Sequence, residues 1–250
     1  MRKILAILLV LSMIAFGGWR VWDSKKTIKK ISSTPNPASS TIQSPTPPPQ
    51  LDEFNKTRYS NTQPGSLWLI VNKSRPLPSG YVPAELVVPN VKLRLSKTAE
   101  QMQVSKDMQI DLEAMFTDAK KAGFELMLAS GFRSEAYQKQ LYNSYVAKDG
   151  QAAADRYSAR PGTSEHQTGL AADVGRPDQK CELEVCFGAT NEGKWVAENA
   201  HKYGFIVRYL EGKELVTTYQ YEPWHLRYVG KELATELVKT SQTMEEFFGL

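Results

Sequence analysis

The chain has 250 residues, of which 41% are hydrophobic, 23% charged and 10% aromatic, so it can bury a core of its own without staples. Its formal charge of +4 is unevenly placed, because residues 1–50 hold seven basic side chains and one acid, leaving 24 basic and 26 acidic side chains in 51–250. No basic stripe marks the folded part, which argues against a nucleic-acid partner, and nothing calls for an obligate protein partner.

Arg2 and Lys3 precede an uncharged apolar run from Ile4 to Trp19, the pattern of an export segment. Trp19 and Trp22 suit a membrane interface, whereas Ala15 and Gly17 offer a small-x-small cleavage site, so residues 1–22 are expected to act as a membrane anchor or a signal peptide. Either exports the rest of the chain. Ser32 to Gln50 is nearly all Ser, Thr, Pro, Ala, Asn and Gln, and six prolines there favour an extended, solvated stalk. Residues 23–62 are accordingly expected to be a linker, of which the Ser32–Gln50 stretch would reach on the order of 60 Å if polyproline-like.

The folded domain is expected over 63–240, with 241–250 as a tail. Leu67–Val71 is a short strand-like apolar run, and the four prolines of Pro76–Asn90 indicate an irregular arm. Met108, Leu112, Met115, Phe116, Ala119 and Ala122 recur at helical spacing, ended by Gly123. Phe124–Ala129 reads as a buried strand, and Ser134 can cap a helix on which Tyr137, Leu141 and Tyr145 share a face. Leu170–Val174 has strand character, Asn191 can cap a helix ended by Gly204, and Phe205–Tyr209 with Val216–Tyr221 is compatible with a hairpin. A last helix is expected from Lys231 to Lys239. No repeat and no alternating β-α pattern occurs, so the class is α+β. Cys181 and Cys186, close in an exported chain, point to a disulfide rather than to half of a zinc site.

Two of the three histidines lie in segments dense with functional groups. A catalytic zinc takes three N or O ligands and keeps one position open. His166, Asp173 and His225 can supply two imidazoles and a carboxylate, with Gly169 free to turn the backbone between the first two. Glu222 is held extended by Pro223 and is available as a base near His225. Arg133, at a strand end, carries a guanidinium fork suited to a terminal carboxylate. Gln140, two helical turns further on, is expected on the same side. His201 matches no ligand position.

Three segments carry a resemblance. Ser130-Gly131-Phe132-Arg133-Ser134, Ser164 to Asp173 and Glu222-Pro223-Trp224-His225 resemble the signature blocks of the VanY-type D-alanyl-D-alanine carboxypeptidases, which the related L,D-carboxypeptidases share. Ser164, His166, Gly169, Ala171 and Asp173 fill the pattern S-x-H-x-x-G-x-A-x-D, and Glu222, Trp224 and His225 fill E-x-W-H. The resemblance implies a single compact zinc-peptidase domain of the D-Ala-D-Ala carboxypeptidase and hedgehog-like type, a small antiparallel sheet flanked by helices. It implies Zn²⁺ on His166, Asp173 and His225, Glu222 as catalytic base, and a catalytic or substrate-gripping role for Arg133, Ser164 and Gln140. It further implies removal of a terminal D-Ala from peptidoglycan stem peptides outside the cell. L,D-carboxypeptidase action, endopeptidase action and a non-catalytic wall-binding module are the alternatives. Thr218 stands where the family often has glycine and Leu210 where proline is common.

Overall fold

The computed structural model describes residues 54–250. The expected export segment 1–22 and most of the expected linker lie outside the described residues. Among the described residues no helix is long and apolar enough to cross a membrane.

Two strands, β1 (Leu86–Val87) and β2 (Val104–Ser105), form a short antiparallel ribbon ahead of helix α1 (Lys106–Lys121). Ser105 caps α1 by accepting from the Asp107 amide, and Gly123 at φ +90° ends it. Met108, Leu112, Met115, Phe116 and Ala119 form its buried stripe, as their spacing predicts. Strand β3 (Met127–Ser130) follows, then α2 (Glu135–Asp149) and α3 (Gln151–Tyr157). Ser134 caps α2 by accepting from the Tyr137 amide. A 3-10 turn over Glu165–Thr168 ends at Gly169 with φ +71° and leads into β4 (Ala171–Gly175). Helix α4 (Asn191–Asn199) is capped by Thr190, one residue before the expected Asn191, because the Thr190 hydroxyl accepts from the Gly193 amide. Then come β5 (Phe205–Val207), α5 (Glu214–Thr217), β6 (His225–Tyr228), α6 (Lys231–Thr240) and α7 (Met244–Phe248).

The main sheet is antiparallel in the order β3-β4-β6-β5, the α+β arrangement expected. Its register sets Ser130 opposite Asp173, and Asp173 opposite His225. One face of the sheet packs Leu128, Ala172, Val174 and Leu226 against α1 and α4 in the main core. A second cluster joins Trp68, Ile70 and Ile206 to Leu233, Leu237, Met244 and Phe247.

Four expectations are corrected. Leu67–Val71 is buried but is not a strand: the Leu67 and Leu69 carbonyls accept from Arg227 Nη2 at 3.1 and 2.8 Å, so a side chain takes the place of a neighbouring strand. Val216–Tyr221 pairs with no strand among the described residues. Its first residues belong to α5, and Thr218 at φ +65° turns the chain, so β5 pairs with β6 instead. That left-handed conformation is strained for a β-branched residue and natural for glycine. Residues 241–250 are not a loose tail, since α7 buries Met244, Glu245 and Phe247. The folded unit also starts earlier than residue 63, with Phe54 stacked 5.6 Å from Trp68.

The segment Ser130–Arg133 is clamped onto a neighbouring loop, where the Phe132 amide donates to the Gln103 carbonyl at 2.6 Å. A Cβ at Gly131 would lie 2.2 Å from that carbonyl oxygen. Gly131→Ala is therefore expected to cost about 2–3 kcal/mol of stability through overpacking against backbone, read as a lowered denaturant midpoint.

Candidate metal centre

The antiparallel pairing that sets Asp173 beside His225 brings two of the expected ligands together, and the glycine-ended 3-10 turn folds His166 back onto them. All three side chains are buried, and their ligand atoms lie within 4.8 Å of one another. His166 Nε2 is 3.2 Å from Asp173 Oδ2, and His225 Nδ1 is 3.1 Å from Asp173 Oδ1. Tetrahedral zinc with N or O donors at about 2.0–2.1 Å has ligand–ligand edges of roughly 3.3–3.4 Å, so the spacing fits. His166 Nδ1–H donates to the Gly131 carbonyl at 2.6 Å, which leaves Nε2 bare, buried and without a hydrogen-bond partner. An unpartnered ring nitrogen of this kind, aimed at a carboxylate and a second imidazole, is what a metal ligand needs.

The charges around the group act on each of its members differently. Burial and the Arg133 guanidinium push His166 down to about 4, so it is neutral and able to ligate at neutral pH. Asp173 stays ionised against the cost of burial because His166, His225 and Arg133 surround it. His225 is raised to about 9: burial opposes its charge, and Asp173 and Glu165 outweigh that.

Glu222 sits in the turn before β6, its amide donating to the Tyr209 carbonyl and its Oε2 3.9 Å from His225 Nδ1. Burial, with Asp173 adding to it, raises its carboxyl to about 7. Arg133 follows β3 and points into the same cleft, with Nη2 donating to Asp173 Oδ2 at 3.1 Å and Nη1 to Gln138 Oε1 at 3.2 Å. Its buried Nε has no partner. Ser164 is buried on the cleft wall.

Gln140 does not reach this cleft. It is exposed on α2, and the glutamine that meets Arg133 is Gln138, fully buried, with its amide nitrogen donating to the Ala159 carbonyl at 2.8 Å. Two residues along a helix turn the side chain by roughly 200°, so only one of the two can face the site. The position one turn after the Ser134 cap was the available signal. His201 lies on a 3-10 turn away from the cleft. Cys181 and Cys186 are bridged, with Cα atoms 5.5 Å apart, and Leu183 inside that loop lines the cleft rim. Reading by sequence also missed the walls: Tyr209 stacks on Tyr219 at 4.5 Å, and both line a cleft of about 260 Å³.

The fold and cleft thus define an α+β domain with a buried two-histidine, one-carboxylate metal group and a carboxyl of raised pKa beside it. The profile of the family "VanY: D-alanyl-D-alanine carboxypeptidase" matches residues 101–231. The chain is 39% identical over 238 residues to YodJ of Bacillus subtilis (strain 168), covering 90% of this chain and 87% of that protein. Among solved structures it is similar to the LD-carboxypeptidase LdcB, with 44% identity and a TM-score of 0.71, over 74% of this chain and 87% of the other. It is also similar to a vancomycin-resistance D,D-pentapeptidase VanY in complex with Zn(II), with 30% identity and a TM-score of 0.60, over 72% and 97%. The protein belongs to the VanY D-alanyl-D-alanine carboxypeptidase family.

The raised carboxyl of Glu222 has a consequence for stability. Its folded value lies above the 4.5 of an ordinary glutamate, so its contribution is fully present below about pH 4.5 and is lost as pH rises through about 7. In chelated protein, Glu222→Gln should melt above wild type at pH 8, by on the order of 2–3 kcal/mol, and converge with it near pH 4.5. Parallel melting curves at both pH values would contradict this.

Proposed function

We propose that the protein is a zinc-dependent carboxypeptidase that removes the terminal D-alanine from peptidoglycan stem peptides. The observation that carries this is the convergence of His166 Nε2, Asp173 and His225 Nδ1 on one point beside the Glu222 carboxyl. His166, Asp173 and His225 would hold Zn²⁺, which when bound supplies a Lewis acid for an amide carbonyl and acidifies water.

The chain's own groups account for the rest. Glu222, with a carboxyl value near 7, is poised to take a proton from the attacking water and return it to the leaving amine. Arg133 lines the cleft, and its guanidinium, held by Gln138 and Asp173, supplies positive charge there for the substrate's terminal carboxylate or the developing oxyanion. The Ser164 hydroxyl on the cleft wall orients the peptide. Tyr209 and Tyr219 exclude water from the reacting bond. No covalent intermediate is needed, because no activated serine or cysteine nucleophile forms part of the group. The export pattern of residues 1–22 supports action outside the cytoplasm, facing the wall, by an anchored or secreted protein.

A second reading, L,D-carboxypeptidase action on tetrapeptide stems, is favoured by the 44% identity to LdcB against 30% to the VanY structure. Release of D-alanine by the purified protein from penta- and tetrapeptide stems, with zinc and with chelator, separates the two. Zinc-dependent release from the pentapeptide alone is the D,D outcome, release from the tetrapeptide is the L,D outcome, and no release from either with zinc bound sinks both. Glu222→Gln is expected to keep zinc and lose at least 100-fold in kcat, whereas His225→Ala is expected to lose zinc affinity as well. Stoichiometric zinc in His225→Ala would overturn the ligand assignment.

A further inference from the structure

Behind His225, on the side away from Asp173, lies a carboxylate that the proposed reaction does not use. Glu165 is fully buried, and its Oε2 is 3.5 Å from His225 Nε2. Neither atom has a hydrogen-bond partner elsewhere, so two buried polar atoms face only each other. The other oxygen, Oε1, accepts from Arg208 Nε at 2.8 Å and from Arg227 Nη1 at 3.1 Å. Arg208 is in turn gripped by both carboxylate oxygens of Glu245 on α7, at 2.8 and 2.6 Å, and Asn72 Nδ2 donates to Glu245 Oε1 at 3.1 Å.

Two guanidiniums on one oxygen keep Glu165 a pure acceptor toward His225. A pure acceptor requires that the facing ring nitrogen, Nε2, carry a hydrogen. A ligating imidazole is neutral and has one hydrogen, so when a metal displaces any hydrogen on Nδ1, Glu165 keeps the remaining one on Nε2 and Nδ1 offers the lone pair. Nδ1 is also the nitrogen 3.1 Å from Asp173. We propose that Glu165 is a positioning residue that holds the hydrogen of His225 on Nε2 and thereby presents Nδ1 to the metal. The proposal rests on His166, Asp173 and His225 being the metal group. Arg208, Arg227 and Glu245 act one step further out, fixing Glu165 between β5, β6 and α7.

Glu165→Gln tests this, because the substitution is nearly isosteric. The amide oxygen can keep both arginines, which turns the NH₂ toward His225. That donor opposes a hydrogen on Nε2 and favours the tautomer with its hydrogen on Nδ1, where the metal needs the lone pair. Zinc affinity, measured by chelator competition, is expected to fall 10–100-fold in Glu165→Gln, and saturating zinc should restore part of the activity. Glu245→Gln is the control: it loosens the same ionic cluster without facing His225, and it should lower thermal stability while leaving zinc affinity within about threefold of wild type. Equal losses of affinity in the two variants, or wild-type affinity in a folded Glu165→Gln, would overturn the proposal.

Nitrogen-15 chemical shifts of the histidine rings in wild type provide a measurement that needs no variant to fold. With zinc added, His225 is expected to carry its hydrogen on Nε2 and the metal on Nδ1. A bare or metal-bound Nε2 in the zinc-loaded protein would sink the proposal. Wild type that binds no zinc would refute the zinc-peptidase reading and the proposal with it, whereas zinc bound through Nε2 would refute the proposal alone.

Discussion

The register between β4 and β6 is the constraint on which the site depends. Side chains along a strand alternate between faces, so a slip of one residue would send Asp173 into the apolar core and bring Ala172 or Val174 to the cleft. The flanking residues prevent that slip. Ala172, Val174 and Leu226 are fully buried on the opposite face against α1 and α4, so the apolar pattern that builds the core also aims Asp173 and His225 at each other. The candidate metal group is in this sense a product of hydrophobic patterning, with β3 adding Ser130 at the same level.

A second layer lies beneath the cleft, where four buried charged side chains, Glu165, Arg208, Arg227 and Glu245, connect β5, β6, the 3-10 turn and α7. Burying such charges is costly unless every one is paired, and removing a single partner from a buried pair typically costs about 3–5 kcal/mol. Here the arginines also satisfy backbone: Arg227 donates to the Leu67 and Leu69 carbonyls and so replaces a strand that the sheet lacks. The cluster ties the first and last described segments of the chain to the floor of the site. It also explains why the ten C-terminal residues are part of the domain.

The cleft walls are more individual than its floor. Thr218 adopts a left-handed conformation that a glycine would take without strain, and its carbonyl accepts from Lys73, whose ammonium also lies 4.2 Å from the Tyr219 ring. The Cys181–Cys186 bridge closes a short loop that sets Leu183 at the rim. These contacts shape the entrance over the reacting bond, so they bear on the choice between peptide stems more than on the hydrolytic chemistry.

Much of this was legible in the sequence. The stripe of α1, the cap at Ser134 and the turn at Gly169 are local features whose physics acts within a few residues. That His166, Asp173, Glu222 and His225 come together was legible because their residue types and motif spacing point to one site. The tertiary structure alone decided what depends on distant partners. Leu67–Val71 had strand-like composition but lost its strand to Arg227, 160 residues away for Leu67. Gln138 rather than Gln140 meets Arg133 because the helix phase is set by how α2 docks. Glu165 looked like an unspecified position in its motif, and only folding brought it against His225, Arg227 on β6 and Arg208 just after β5. Local propensity and motif chemistry are written along the chain. The pairing of buried charges is not, because each partner is chosen by geometry that exists only after the core has formed.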